Sequence, residues 1–149
     1  LHDSIRKTAG ALEGVAAKKD IRFDLELSDT EPLWVSGDKD KIQQVLHNLM
    51  DNAVKFSHEG SSILISTREK GNRVFVSVKD SGIGIPKDDL GKIFERFYKT
   101  DLSRGKDKLG TGLGLSICKE IITAHKQNLD VVSTEGVGSE FVFTLTKET

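Results

Sequence analysis

The sequence has 149 residues, with 22 lysines and arginines against 23 acidic residues, 14 glycines, two prolines and one cysteine. That length suits one domain with a sizeable core, and a net charge of −1 gives no sign of a nucleic-acid or membrane-surface partner. No apolar run approaches the roughly 20 residues of a spanning helix, no signal-peptide pattern opens the chain, and the lone Cys118 excludes an internal disulfide framework and suits a reducing compartment.

Ile5, Ala9, Leu12 and Ala16 recur at helical spacing, so residues 3–18 are predicted as an amphipathic helix, capped by Asp3 or Ser4. The segment "IRFDLEL" alternates, placing Ile21, Phe23, Leu25 and Leu27 on one face of a half-buried strand. A short strand over 33–36 follows the turn around Pro32, and Asp38 is the expected N-cap of a long helix over 39–57. Strands 62–68 and 73–79, joined by "KGN", form a hairpin. Residues 81–114 are glycine-punctuated, with a short helix expected at 88–95. A helix over 114–126, the strand "LDVVST", a glycine turn and the alternating "SEFVFTLT" complete the chain. The order lacks regular βαβ units, so the expected class is α+β: a two-layer α/β sandwich with a mixed, mostly antiparallel sheet and three main helices on one face.

The long helix poses a question. Asn48, Asn52 and Lys55 form a polar stripe beside the apolar one of Ile42, Val45, Leu46, Leu49, Met50 and Ala53. A solvated helix face would give that pattern on its own. An amide oxygen near an amine would also suit a phosphate-borne Mg²⁺, which takes few protein ligands. "DSGIGIP", residues 80–86, follows a strand; Asp80 there suits either a tight turn or a base amine, and Gly82 and Gly84 allow close approach. "GTGLGLS", residues 110–116, sets three glycines before a helix N-terminus, an anion site by its bare N–H groups or simply a hinge. It is neither G-x-G-x-x-G, because Leu115 stands where glycine is needed, nor a P-loop, because Thr111 follows Gly110. The segment between carries Lys99, Arg104, Lys106 and Lys108 around Gly105. His2, His47, His58 and His125 show no paired ligand spacing and read as surface or packing residues.

In order and spacing, N-x-x-x-N-A-x-K-F, D-x-G-x-G-I, F-E-R-F-Y and G-T-G-L-G-L resemble the four nucleotide-binding boxes of the catalytic domain of bacterial sensor histidine kinases. That family belongs to the wider ATPase group of the gyrase B subunit, Hsp90 and MutL. The resemblance, over about residues 1–147, implies one catalytic and ATP-binding domain across 1–149, with ATP between the helical layer and a mobile lid at 98–110. Asp80 would take the adenine amino group, with Gly82, Gly84 and Ile85 around the base and Phe56 near it. Asn52 would give its oxygen to Mg²⁺, Lys55 would meet phosphate, and Asn48 would join that network. Tyr98 and Lys99 would line the lid, Lys99 as a γ-phosphate contact, with Phe94 and Phe97 anchoring it. Gly110, Thr111, Gly112, Leu113, Gly114 and Leu115 would wrap the phosphates. Asn48, Lys55 and Lys99 would carry the catalytic role.

Hydrolysing members of the group hold a glutamate base where this sequence has Asn48, so the resemblance implies transfer rather than hydrolysis. No H-E-x-x-x-P-like acceptor box occurs; "HDSIRKT" lacks the proline. The acceptor histidine is therefore expected on a separate dimerisation hairpin, with a response regulator downstream, no nucleic-acid partner and a monomeric isolated domain. The domain would be cytoplasmic, its parent anchored in the bacterial membrane. Two other readings keep the fold: a protein-serine kinase of anti-sigma type, and a nucleotide-binding regulatory module without transfer.

Overall fold

The computed structural model describes residues 1–95 and 114–148. Three helices, α1 (His2–Ala17), α2 (Lys39–Phe56) and α3 (Gly114–Ala124), accompany six strands. The strands are β1 (Arg22–Glu26), β2 (Val35–Ser36), β3 (Ser62–Lys70), β4 (Arg73–Lys79), β5 (Leu129–Thr134) and β6 (Gly138–Lys147). The sheet runs β1-β3-β4-β6-β2, and β5 shares the outer edge of β6 with β2. Among the described residues only the β1–β3 pair is parallel, which makes the sheet mixed and mostly antiparallel, as expected.

Strand alternation decides which face the helices cover. Ile63, Ile65, Val74, Val76, Val78, Phe141, Phe143 and Leu145 are buried and join the apolar stripes of all three helices in one core. The register sets Val74, Val76 and Val78 opposite Leu145, Phe143 and Phe141, so cross-strand pairs stack directly beneath the helices. α2 lies between α1 and α3. It buries Ile42, Val45, Leu46, Leu49, Met50, Ala53 and Val54. At about 1.5–3 kcal/mol for each large side chain, that burial outweighs every local term in the helix.

The local terms set its ends. Asp38 caps α2, accepting from the amides of Asp40 at 3.0 Å and Lys41 at 3.1 Å through Oδ1. The first helix ends in a Schellman turn: Asp20 adopts φ 55°, its amide reaches Ala17 O at 3.0 Å, and the Ile21 amide reaches Ala16 O at 2.9 Å. The Gln127 and Lys126 amides close α3 in the same way on Ile122 and Thr123, with Lys126 at φ 60°.

Four expectations need correction. Neither Asp3 nor Ser4 caps α1: the helix begins at His2 with Leu1 as N-cap, and Asp3 lies in the first turn. His2 is itself buried, with ring nitrogens 3.1 Å from Glu31 and 2.9 Å from Thr67 Oγ1, and this anchor sets the start. The short helix expected at 88–95 is a 3₁₀ turn, Lys87–Asp89, running on into i→i+3 bonds up to Glu95. Pro86 opens it and Gly91 interrupts it, so no α-helical ladder propagates. Leu25, assigned to the buried face of β1, is 38% exposed. β1 is an edge strand with β3 as its single neighbour in the sheet order. The expected 33–36 strand shortens to β2, with Leu33 buried and Trp34 exposed.

Because burial dominates α2, Asp38→Ala leaves the fold intact and lowers stability by about 1 kcal/mol, measurable as a lower urea midpoint at unchanged m-value. An unchanged midpoint would mean that the two amides find water at no loss.

Candidate functional site

The polar stripe of α2 emerges beside the core as the spacing predicts: Asn48, Asn52, Lys55 and Phe56 are half-buried, whereas Leu49, Met50 and Ala53 are sealed. Lys55 Nζ pairs with Asp51 one turn back at 3.3 Å. Asn48 lies close enough to the Cys118 thiol on α3 to favour its charged form slightly. Burial pushes that thiol up to about 12 against the smaller opposing pull of Asn48, so Cys118 is a neutral packing group and no nucleophile.

The loop after β4 is bonded directly to the C-terminus of α2. The Ile83 amide donates to Phe56 O at 3.1 Å, and Ser57 and Gly82 form an isolated antiparallel bridge. Gly82 has no alternative here: a Cβ would lie 2.0 Å from Phe56 O. Gly84 adopts φ 72° and packs on the opposite side, where a Cβ would lie 2.2 Å from Thr134 O. The β5–β6 hairpin supports that side, with the Gly136 amide on Ile83 O at 2.7 Å and Ser133 Oγ accepting from the Ile85 amide at 2.8 Å.

Asp80 sits at the root of the loop, 7% exposed. Its Oδ1 accepts from the amides of Gly82 at 2.9 Å and Ser139 at 3.2 Å. Burial is the larger effect on this carboxyl and raises it above the usual aspartate range; the two amide donors and the more distant His58 pull the other way. Both of these bonds fall on Oδ1.

Gly114 and Leu115 open α3, whose first amides have no intrahelical acceptors. Cys118, one turn on, reaches Val45 O of α2 at 3.9 Å as well as Asn48. So α3 and the Asp80–Ile85 loop each meet α2, α3 through Cys118 at Val45 and the loop at Phe56 and Ser57. Phe94 packs on the core, edge-to-face with Phe141 at 6.3 Å, and Lys119 Nζ stands 5.3 Å from its ring centroid. Phe97, Tyr98, Lys99, Gly110, Thr111, Gly112 and Leu113, with the lid span 98–110, lie outside the described residues.

Sequence reasoning gave no role to Ser139 or Ser133, although "TEGVGSEF" announces a glycine turn there. It also passed over Ser57, whose Oγ donates to Ala53 O at 2.6 Å. Among the described residues no cluster of His, Cys, Asp or Glu is arranged to hold a metal. A divalent cation here would therefore rest mainly on phosphate and water oxygens with an amide such as Asn52, which is how Mg²⁺ is ordinarily bound with a polyphosphate.

The profile of the family described as histidine kinase-, DNA gyrase B- and HSP90-like ATPases matches residues 37–149, and the chain belongs to that family. Within it, the likeness is to histidine kinases. The chain is 45% identical to the sensor histidine kinase WalK of Bacillus subtilis over 127 residues, covering 84% of this chain and 21% of WalK. It thus spans about a fifth of that relative's length. The catalytic domain of the histidine kinase ThkA matches with a TM-score of 0.85 at 36% identity, over 99% of this chain and 92% of that one. Full-length ShkA in complex with AMPPNP matches at 0.84 and 30% identity, over 99% of this chain and 30% of ShkA. ThkA in complex with the response regulator TrrA matches at 0.81 and 34% identity, over 99% and 40%.

Gly82→Ala places a methyl against backbone on α2 and forces the joint open. The expected loss is about 1–3 kcal/mol of stability, read by chemical denaturation. A variant as stable as the wild type would show that the α2–loop contact is not close-packed.

Proposed function

We propose that this chain binds Mg-ATP and presents the γ-phosphate to a histidine on a dimerisation hairpin elsewhere in a two-component sensor kinase, with a response regulator as the downstream partner. One observation carries the nucleotide reading: a buried carboxylate, Asp80, held on one oxygen by two backbone amides and knit through its loop to the polar end of α2. Desolvation of that kind is characteristic of a group kept for a ligand rather than for stability. The AMPPNP complex of ShkA supports a nucleotide as that ligand, and the ThkA–TrrA complex supports the partner.

In this reading Asp80 accepts from the adenine amino group and the loop glycines let the purine meet backbone. Asn52 and Lys55 face the polyphosphate, and the first amides of α3 receive phosphate oxygens where peptide dipoles favour negative charge. Bound Mg²⁺ supplies charge neutralisation on the phosphates, with Asn52 as its protein oxygen. The acceptor imidazole nitrogen forms a bond to the γ-phosphorus as the bond to the β,γ-bridging oxygen breaks; ADP leaves with the electron pair and the imidazole proton passes to solvent. Such a loose transition state needs positioning and charge more than covalent help.

Water is a poor competitor at this site. Asn48 cannot take a proton from it, its neighbour Cys118 is a neutral thiol, and the nearest carboxylate along the helix, Asp51, is paired with Lys55. His2 and His125 each have both ring nitrogens engaged, His125 by the Asp38 amide at 3.0 Å and by Ile121 O at 2.8 Å. The lid span 98–110, with Lys99 as γ-phosphate contact and Phe97 as anchor, and the wrapping role of Gly110–Leu113 belong to this proposal too.

Titration calorimetry with Mg-ATP on wild type and Asp80→Asn tests the reading. An amide oxygen in the Oδ1 position still receives both backbone donors, but the NH2 in the other position cannot accept. Affinity should fall by about tenfold to a hundredfold, the worth of a hydrogen bond to a charged group. Stability moves the other way. A folded carboxyl raised above its unfolded value makes stability fall as pH rises through the window between them, so Asp80→Asn should be at least as stable as wild type near pH 7. Equal Mg-ATP affinity in the two proteins would remove Asp80 from the site.

A further inference from the structure

A helix leaves its last four carbonyls without intrahelical partners, and in α2 all four are taken. Ala53 O accepts from Ser57 Oγ at 2.6 Å, and Phe56 O from the Ile83 amide at 3.1 Å. The middle two go to one side chain from the turn that ends α1: Lys19 Nζ donates to Val54 O at 2.8 Å and to Lys55 O at 3.1 Å. The Schellman turn of α1 puts Lys19 there, since Asp20 at φ 55° reverses the chain immediately after it. The backbone joins in as well: Lys19 O accepts the Gly60 amide at 3.2 Å. Lys19 is half-buried, so its ammonium is partly withdrawn from water where it meets these carbonyls.

We propose that Lys19 is a positioning residue for the nucleotide site, acting through the last turn of α2. The inference rests on the nucleotide reading of that turn and extends it to a residue that meets no substrate. Two physical effects combine. The double hydrogen bond fixes the backbone from which Lys55 and Phe56 project, between the Ile83 contact on one side and α1 on the other. The ammonium also offsets the negative end of the α2 dipole, equivalent to about half an elementary charge. Without that offset, the carbonyls of Val54 and Lys55 would repel a polyphosphate drawn to the Lys55 side chain. α1 thereby becomes coupled to nucleotide affinity: a shift of its C-terminus relative to α2 withdraws the cap.

The test uses the whole chain and Mg-ATP calorimetry at about 15 °C, where every variant is checked by circular dichroism to be folded. Lys19→Met keeps the aliphatic stem and loses both hydrogen bonds; Lys19→Arg restores a donor that spans two carbonyls. Ile5→Val, near the opposite end of α1 from the turn that carries Lys19, is the control for α1 destabilisation alone. The expected result is a roughly tenfold weaker Mg-ATP affinity in Lys19→Met, recovery to within about twofold of wild type in Lys19→Arg, and a lower melting temperature with unchanged affinity in Ile5→Val. Wild-type affinity in Lys19→Met overturns the inference while leaving the nucleotide site standing. Equal weakening in Ile5→Val also overturns it, since generic loosening of α1 then accounts for the effect. A wild-type chain that gives no heat with Mg-ATP overturns the site and the inference together.

Discussion

The hydrogen bond from the Ile83 amide to the Phe56 carbonyl, with Gly82 pressed against the same carbonyl, is the joint on which the candidate site depends. It brings the last turn of α2 against the loop that leaves β4, two segments that belong to different layers of the sandwich. Backbone must meet backbone at that point, so the loop admits no side chain at Gly82 and the helix stops at Phe56. The joint brings the turn of α2 that carries Lys55 and Phe56 to the loop that Asp80 opens. The β5–β6 hairpin holds the loop from behind through Gly136, Ser133 and Ser139.

That arrangement sets stability against use. Asp80 is desolvated and paired with amides rather than a cation, so its charge is held at a loss that a ligand donor can offset. The remaining polar groups of the helix are moderated: Lys55 by Asp51, Asn48 by a neutral thiol. None is a strong base poised toward water. In the reading proposed above, such a site would hold a triphosphate until another nucleophile arrives, in keeping with the chain's likeness to histidine kinase catalytic domains.

The α2 stripe, the Asp38 cap, the "KGN" hairpin and the alternation of β6 were legible in the sequence because each is a local pattern whose period or capping chemistry is read within one segment. Sheet order was not, since β1 lies parallel beside β3 and β5 shares an edge of β6 with β2 through contacts distant in sequence. The Lys87–Asp89 turn was misread because apolar spacing at Leu90, Ile93 and Phe94 suggests a helix, while Pro86 and Gly91 decide otherwise. Of the site, the motif residues on α2 and the Asp80 loop were visible. Ser139 and Lys19 were not, because a serine amide and a lysine head look solvated until tertiary structure puts a carboxylate or a helix end beside them.

The central claim is that three segments distant in sequence form one nucleotide-binding surface. Titrating isotopically labelled protein with Mg-ATP and following backbone amides by two-dimensional ¹H–¹⁵N NMR tests it most directly. The largest shifts should fall together on Asn52–Phe56, Asp80–Ile85 and Gly114–Ser116, saturating with a single dissociation constant. Shifts confined to the far face of the sheet, around Phe75, Glu140 and Val142, or different constants for the three segments, would contradict it.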